Sequence, residues 1–153
     1  MVSTEGTIIT DRFADIGFTL IGAYTSCSAM GPVPTLRRLH IDEDVSELMQ
    51  KERTSCPNLV LCVDLNVTSA TCDATLRHGF DEATHSSCKP HERATFKRWI
   101  SGGMHDVYRF HNRSASAADY SWHRSERDEQ LNIGMRVGGP RHSYGFDAGG
   151  YSV

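Results

Sequence analysis

Asp64-Leu65-Asn66 follows directly on the run Asn58-Leu59-Val60-Leu61-Cys62-Val63. A carboxylate and a carboxamide two positions apart, at the end of a continuous apolar run, sit where α/β folds place polar chemistry, beyond the carboxyl ends of buried strands. Taken alone, the same tripeptide reads as a strand-ending turn, because Asp and Asn both favour turns. A second polar group is His85-Ser86-Ser87-Cys88-Lys89-Pro90-His91. Its ligand types suit zinc, but the spacing is not that of a finger and no second ligand pair follows, so it reads as a polar loop. Basic residues cluster at Arg37-Arg38, from Lys89 to Arg98 and from Arg124 to Arg127. Each cluster by itself reads as a solvated helix face.

The elements that must position these groups follow from pattern. Thr7–Thr10 and Phe18–Tyr24 read as strands, rich in β-branched and aromatic residues. Ser26–Pro34 reads as a loop. Leu36, Leu39, Val45, Leu48 and Met49 predict one helix face between Leu36 and Gln50. Leu59–Val63 is apolar at every position, which predicts a strand buried on both faces. Thr68–Ser87 has no pattern and predicts a long loop. A helix is expected from Lys89-Pro90, with Pro in its first turn, to about Ile100, burying Phe96, Trp99 and Ile100. Three further strands are expected at Asp106–Phe110, Asp119–Trp122 and Asn132–Val137. From Gly138 to Val153 no periodic apolar face survives, and a disordered tail is expected.

The 153 residues amount to about one domain by length. A composition of 39% hydrophobic and 23% charged residues is that of a globular chain. The net charge of −3 lacks the basic excess of a general nucleic-acid coat. No run is long enough to cross a bilayer, and no secretory signal opens the chain, so a nuclear or cytoplasmic address is expected. The five cysteines, odd in number and without a CxxC pair, are expected to be reduced.

Five segments, in one order, resemble the exonuclease III family of apurinic/apyrimidinic endonucleases. They are Glu5-Gly6-Thr7-Ile8-Ile9-Thr10 with the Tyr24-ended strand, Leu59–Val67, Pro90-His91-Glu92-Arg93-Ala94-Thr95-Phe96, Asp106-Val107-Tyr108-Arg109, and Tyr120-Ser121-Trp122 with Asn132–Val137. The resemblance implies an α/β (α+β) fold, part of a four-layer αββα sandwich of the endonuclease/exonuclease/phosphatase type, over residues 1–137. It implies metal-dependent hydrolysis of DNA phosphodiesters at abasic sites, with magnesium or manganese as cofactor and abasic DNA as partner. Asp64 would be the proton-transfer group near the metal. Asn66 would hold a phosphate oxygen or a metal-bound water, and Tyr24 would set its hydroxyl against the same phosphate. Asp73 would support the site loop. Trp122, Met135 and Val137 would line the slot for the baseless sugar, and Arg136 would pair with a DNA phosphate.

The chain also departs from the family pattern. The family's opening segment, with an Asn and the metal-binding Glu, and its closing Ser-Asp-His segment have no match. Val63 stands for a Gly, Ser26-Cys27 for Pro-Asn, Met135 for a Trp and Gly138 for an Asp. The expectation is therefore a nuclease relative with lost or weak activity. The alternative is a non-catalytic DNA- or protein-binding remnant of the fold. A sheet face left without its facing sheet is expected to be exposed and to promote self-association.

Overall fold

The computed structural model describes residues 7–28, 32–75, 85–112 and 120–137. The expected tail, 138–153, lies outside them. In chain order the elements are β1 (Thr7–Phe13), β2 (Phe18–Tyr24), α1 (Pro32–Ser55), β3 (Leu59–Asp64), β4 (Ala74–Thr75), α2 (Pro90–Ser101), α3 (Val107–His111), α4 (Glu126–Gln130) and β5 (Gly134–Met135).

The β1–β2 hairpin turns at Gly17, whose φ of 71° is open to glycine without a Cβ penalty. Its N–H donates to the Phe13 carbonyl at 2.8 Å, and the Phe13 and Phe18 rings stack at 4.6 Å across the turn. β2 then pairs with β3 in parallel, Tyr24 opposite Asp64. Parallel neighbours need a long crossover, and α1 supplies it. α1 begins at Pro32 and ends at Ser55, longer at both ends than the expected Leu36–Gln50. Pro32 and Pro34 fall in its first turn, where a missing N–H costs nothing.

Ile41, Val45 and Met49 of α1 recur on one face and pack on Ile21, Leu59, Leu61 and Val63. α2 adds Phe96 and Trp99 to the same core, and the Trp99 indole N–H donates to Ser46 Oγ on α1 at 2.8 Å. Arg12 of β1 forks onto Glu52 of α1 with two hydrogen bonds of 2.8 Å, tying hairpin to helix. Both helices therefore sit on one side of the three-stranded sheet β1-β2-β3.

The other side is less covered. β3 alternates buried and half-buried positions along Leu59–Asp64. Among the described residues it is thus enclosed on one face, whereas its uniform apolarity predicted cover on both. Leu59, Leu61 and Val63 face the helices; Val60 and Cys62 face away and are half-buried. Ile9 on the same open face is 64% exposed.

Two other expectations change. Asp106–Phe110 is not a strand: Asp106 caps the short helix α3, its carboxylate accepting the Arg109 N–H at 3.0 Å. An Asp that captures an N–H three residues on stabilises a helix start by about 1 kcal/mol. The two late strands shrink to β5 and a single bridge between Trp122 and Met135, and α4 occupies the chain between them. Its N-cap is Ser125, which accepts the Asp128 N–H.

Leu61 has no exposed surface and lies at the centre of the core. Leu61→Ala is expected to lower unfolding free energy by about 2–5 kcal/mol, measured by urea denaturation.

Candidate functional site

The parallel pair β2–β3 ends with its two chains laced together. The Thr25 N–H donates to the Asp64 carbonyl at 2.9 Å, and the Thr25 hydroxyl donates to the Leu65 carbonyl at 2.8 Å. In return an amide hydrogen of Asn66 goes to the Thr25 carbonyl at 2.9 Å. The Asp64 carboxylate accepts the Asn66 N–H at 3.1 Å. Asn66 itself sits at φ 46°, a left-handed conformation that Asn tolerates better than most residues. So Asp64-Leu65-Asn66 is a turn, as its composition alone predicts, and Asn66 lines a cavity. Burial pushes the Asp64 carboxyl above its ordinary range, against the opposing pull of the Asn66 N–H and the Arg38 charge. Tyr24, opposite Asp64 in the register, is 48% exposed.

The cavity has a volume of about 490 Å³, within the range of small-molecule and cofactor sites. Trp122, Met135 and Val137 give it an apolar floor, and Asn66, Ser87, His85 and Arg124 also line it. The floor is held by backbone pairing: Trp122 and Met135 exchange N–H···O bonds of 2.9 and 3.0 Å. Gly134 allows this approach, since a Cβ there would fall 2.6 Å from the Trp122 carbonyl oxygen.

Between Met135 and Val137 the chain alternates, and Arg136 points the opposite way. Strand geometry sends neighbours to opposite sides, so these three residues cannot line one slot together. Arg136 is 2% exposed. Its guanidinium donates to Asp73 at 2.8 and 3.2 Å and to Asp106 at 2.8 Å, and it lies 4.9 Å from the centre of the Tyr108 ring. It is an internal cation rather than one presented to a DNA phosphate. Asp73 also takes hydrogen bonds from Ser69 and Arg109. Burial works to raise its carboxyl, but the hydrogen bonds and charge of Arg136, helped by Ser69 and Arg109, hold it below the usual carboxylate range.

Of the residues singled out from sequence, the structure thus gathers Asn66, Trp122, Met135 and Val137 at one cavity. It sets Tyr24 and Asp64 on adjoining strand ends, and buries Asp73 with Arg136 behind the floor. Cys27 and Arg124 also line the cavity; Arg124 was legible only as part of a basic cluster, and Cys27 only as a departure from the family pattern. His85 and Ser87 were legible only as part of a polar loop. Among the described residues no three His, Cys, Asp or Glu side chains converge on a point. At the turn the available oxygens are the Asp64 carboxylate and the Asn66 amide oxygen. Magnesium is normally held by one or two carboxylates with substrate phosphates and waters, and among the described residues the turn offers one carboxylate, Asp64, toward such a set.

No protein-family model matches the sequence, and no curated protein matches it. Solved structures do share its fold. A 3'-5' exonuclease, NExo, from Neisseria meningitidis superposes with a TM-score of 0.72 at 19% identity, over 92% of this chain and 51% of its own. An AP endonuclease from Archaeoglobus fulgidus gives 0.71 at 19% identity, over 92% and 52%. The AP endonuclease LMAP from Leishmania major gives 0.71 at 21% identity, over 85% and 41%. A structure of the 3' phosphatase NExo from Neisseria bound to a product DNA hairpin also superposes, at 0.74. The chain therefore has the endonuclease/exonuclease/phosphatase fold, and it spans about half the length of these structures.

The two carboxyls predict opposite pH behaviour. Asp73 has a lowered folded-state pKa, so its stability contribution is present above the unfolded value of about 3.9 and is lost as pH falls through the folded one. Asp73→Asn removes one of the two carboxylates paired to Arg136, leaving Asp106, and is expected to cost about 3–5 kcal/mol at neutral pH and to flatten the acid limb of stability against pH. Asp64 has a raised folded-state pKa, so its protonated form favours the fold and that contribution is lost as pH rises through the folded value. Asp64→Asn is expected to be more stable than the parent at neutral pH and equal to it in acid. Chemical denaturation across the acid range checks both.

Proposed function

We propose that this chain is a relative of DNA-repair nucleases of the apurinic/apyrimidinic endonuclease and 3'-5' exonuclease type, and that it engages DNA at an abasic site with weak or no incision on its own. The observation that carries this is the shared cavity of Asn66, Trp122, Met135 and Val137 beside the strand ends bearing Asp64 and Tyr24. A baseless sugar turned out of a duplex needs an apolar, partly aromatic slot next to groups that can hold its phosphate. The fold shared with exonuclease and AP endonuclease structures, one of them bound to a DNA hairpin, supports the same reading.

In this reading Asp64, half-buried and raised in pKa, holds or moves a proton at the phosphate. Asn66 has one amide hydrogen committed to Thr25, and the other is directed at a phosphoryl oxygen, where a neutral donor stabilises growing charge. The Tyr24 hydroxyl approaches from the exposed strand end. Trp122 and Met135 take the apolar face of the sugar. Asp73, with Arg136, holds the floor from behind and touches no substrate. The family's magnesium has no complete protein donor set among the described residues, so no step is assigned to it. The alternative reading is a non-catalytic DNA- or protein-binding remnant of the fold.

Binding and incision are tested separately. Fluorescence anisotropy is expected to show tighter binding to an abasic duplex than to an intact one, with the difference reduced by Trp122→Ala. Equal affinity for the two duplexes removes the reading. Incision of the abasic duplex in magnesium is expected at background level; robust cutting that disappears in Asp64→Ala would show that the chain is a working nuclease after all.

A further inference from the structure

Between them, α1 and α2 bury two carboxylates against one guanidinium. Asp42 and Arg38 are each 1% exposed, and Glu92 has no exposed surface. The Arg38 Nε–H donates to Asp42 Oδ1 at 2.8 Å, and Arg38 Nη1 stands 3.9 Å from Glu92 Oε1. The other charges of this interface are turned elsewhere: Lys89 sends its ammonium to the Ser28 carbonyl at 2.8 Å, and the Arg98–Glu43 pair lies on the exposed outer side. The donors around the two acids are unequal. Glu92 accepts the Ser28 hydroxyl at 2.5 Å on Oε1 and the Lys89 N–H at 3.1 Å on Oε2. It also stands in the first turn of α2, where the helix dipole favours negative charge. Asp42 lies inside α1, with Oδ2 buried and without a hydrogen-bond partner. An oxygen so placed costs most when its group is ionised.

Like charges that share a site do not ionise independently, and the proton stays on the acid with the poorer set of donors. Here that acid is Asp42. Burial pushes its carboxyl up and the Glu92 charge adds to this, while Arg38 and the Thr95 hydroxyl pull it down. We propose that Asp42 is a buried proton store that sets how firmly Arg38 and Glu92 hold the segment from Thr25 to Ser28: firmly while Asp42 carries the proton, and more loosely once the proton has left to solvent. Ionised Asp42 competes with Glu92 for Arg38. It also draws Arg38 from the Ser26 carbonyl, which Nη1 reaches at 3.5 Å. Glu92 in turn fixes the Ser28 hydroxyl, so the competition is felt along Thr25–Ser28. That segment brings Cys27 to the cavity and laces Thr25 to the Leu65 carbonyl. The site is thereby made sensitive to pH from the side away from its own side chains, whether or not the chain acts on DNA.

Carboxyl carbon-13 NMR of the full chain reads the proton directly, with Asp42 assigned by the resonance lost in Asp42→Asn. The Asp42 titration is expected above the ordinary aspartate value of about 3.9. The Ser26, Cys27 and Ser28 amide resonances are expected to shift with the same midpoint. Asp42→Asn keeps the acceptor for Arg38 and carries no charge, and in it those amides are expected to lose that shift. Glu92→Gln is expected to move the Asp42 titration down, because the like charge is gone; a purely structural Glu92 would leave it where it is. If Glu92→Gln does not fold, the parent and Asp42→Asn decide alone. Stability gives a second readout. A raised folded-state value means a contribution that is present below the unfolded value and lost as pH rises through the folded one. The urea midpoint of the parent is therefore expected to fall relative to that of Asp42→Asn over the same pH interval. An Asp42 carboxyl that titrates at or below the ordinary value overturns the proposal. So do amides of residues 26–28 that ignore its titration, or that shift equally in Asp42→Asn.

Discussion

The carboxylate of Asp73 is held out of water, where an unpaired charge would cost several kcal/mol. Its neutralisation draws three separate segments together. Arg136 comes from the end of β5, Arg109 from α3, and Ser69 from the loop after β3. Asp106, the cap of α3, shares Arg136. Because Arg136 is committed to this side, Met135 and Val137 must project to the other, and that is the floor of the cavity. The Arg136 N–H also donates to the Asp73 carbonyl at 2.8 Å, so backbone and side chain agree on the register. The cavity floor is thus positioned by a charge pair that never reaches the cavity.

A second buried network anchors the opposite wall. Glu92 of α2 is fully buried; it accepts the Ser28 hydroxyl at 2.5 Å and has Arg38 of α1 at 3.9 Å. Lys89 reaches the Ser28 carbonyl at 2.8 Å. These groups fasten the chain from Thr25 to Ser28, which carries Cys27 to the cavity and Thr25 to the Asp64-Asn66 turn. Arg38 is itself paired to Asp42 at 2.8 Å one helical turn on. Burial still pushes the Asp42 carboxyl above its ordinary value, which marks this region as polar by construction rather than apolar core. Buried ion pairs of this sort add little to net stability and much to the cost of losing one partner.

The sheet joins these two supports. Its helix-facing side holds the main core, and its end carries Tyr24, Asp64 and the turn to Asn66. The side facing away carries apolar residues with only partial cover. No helix among the described residues is long and apolar enough to cross a membrane.

The main core was legible in the sequence because it depends on local pattern. The Leu59–Val63 run, the Phe18–Tyr24 strand and the Phe96–Trp99 face are repeated apolar residues at strand or helix spacing, and burial follows from their period. The Asp64-Leu65-Asn66 turn was legible for the same reason, since Asp and Asn carry their preference with them. The face of α1 was less so: Arg38, Asp42 and Glu52 are charged by type yet buried by pairing, which interrupts the apolar period. Asp106–Phe110 looked like a strand from its side chains, but one cap hydrogen bond made it a helix. Which way Arg136 points, whether β3 is covered once or twice, and which polar residues meet at the cavity were decided only by the tertiary structure. Each depends on a partner far away in the chain, Asp73 for Arg136 and Thr25 for Asn66, and the pairing of distant charges and hydrogen bonds leaves no period in a sequence.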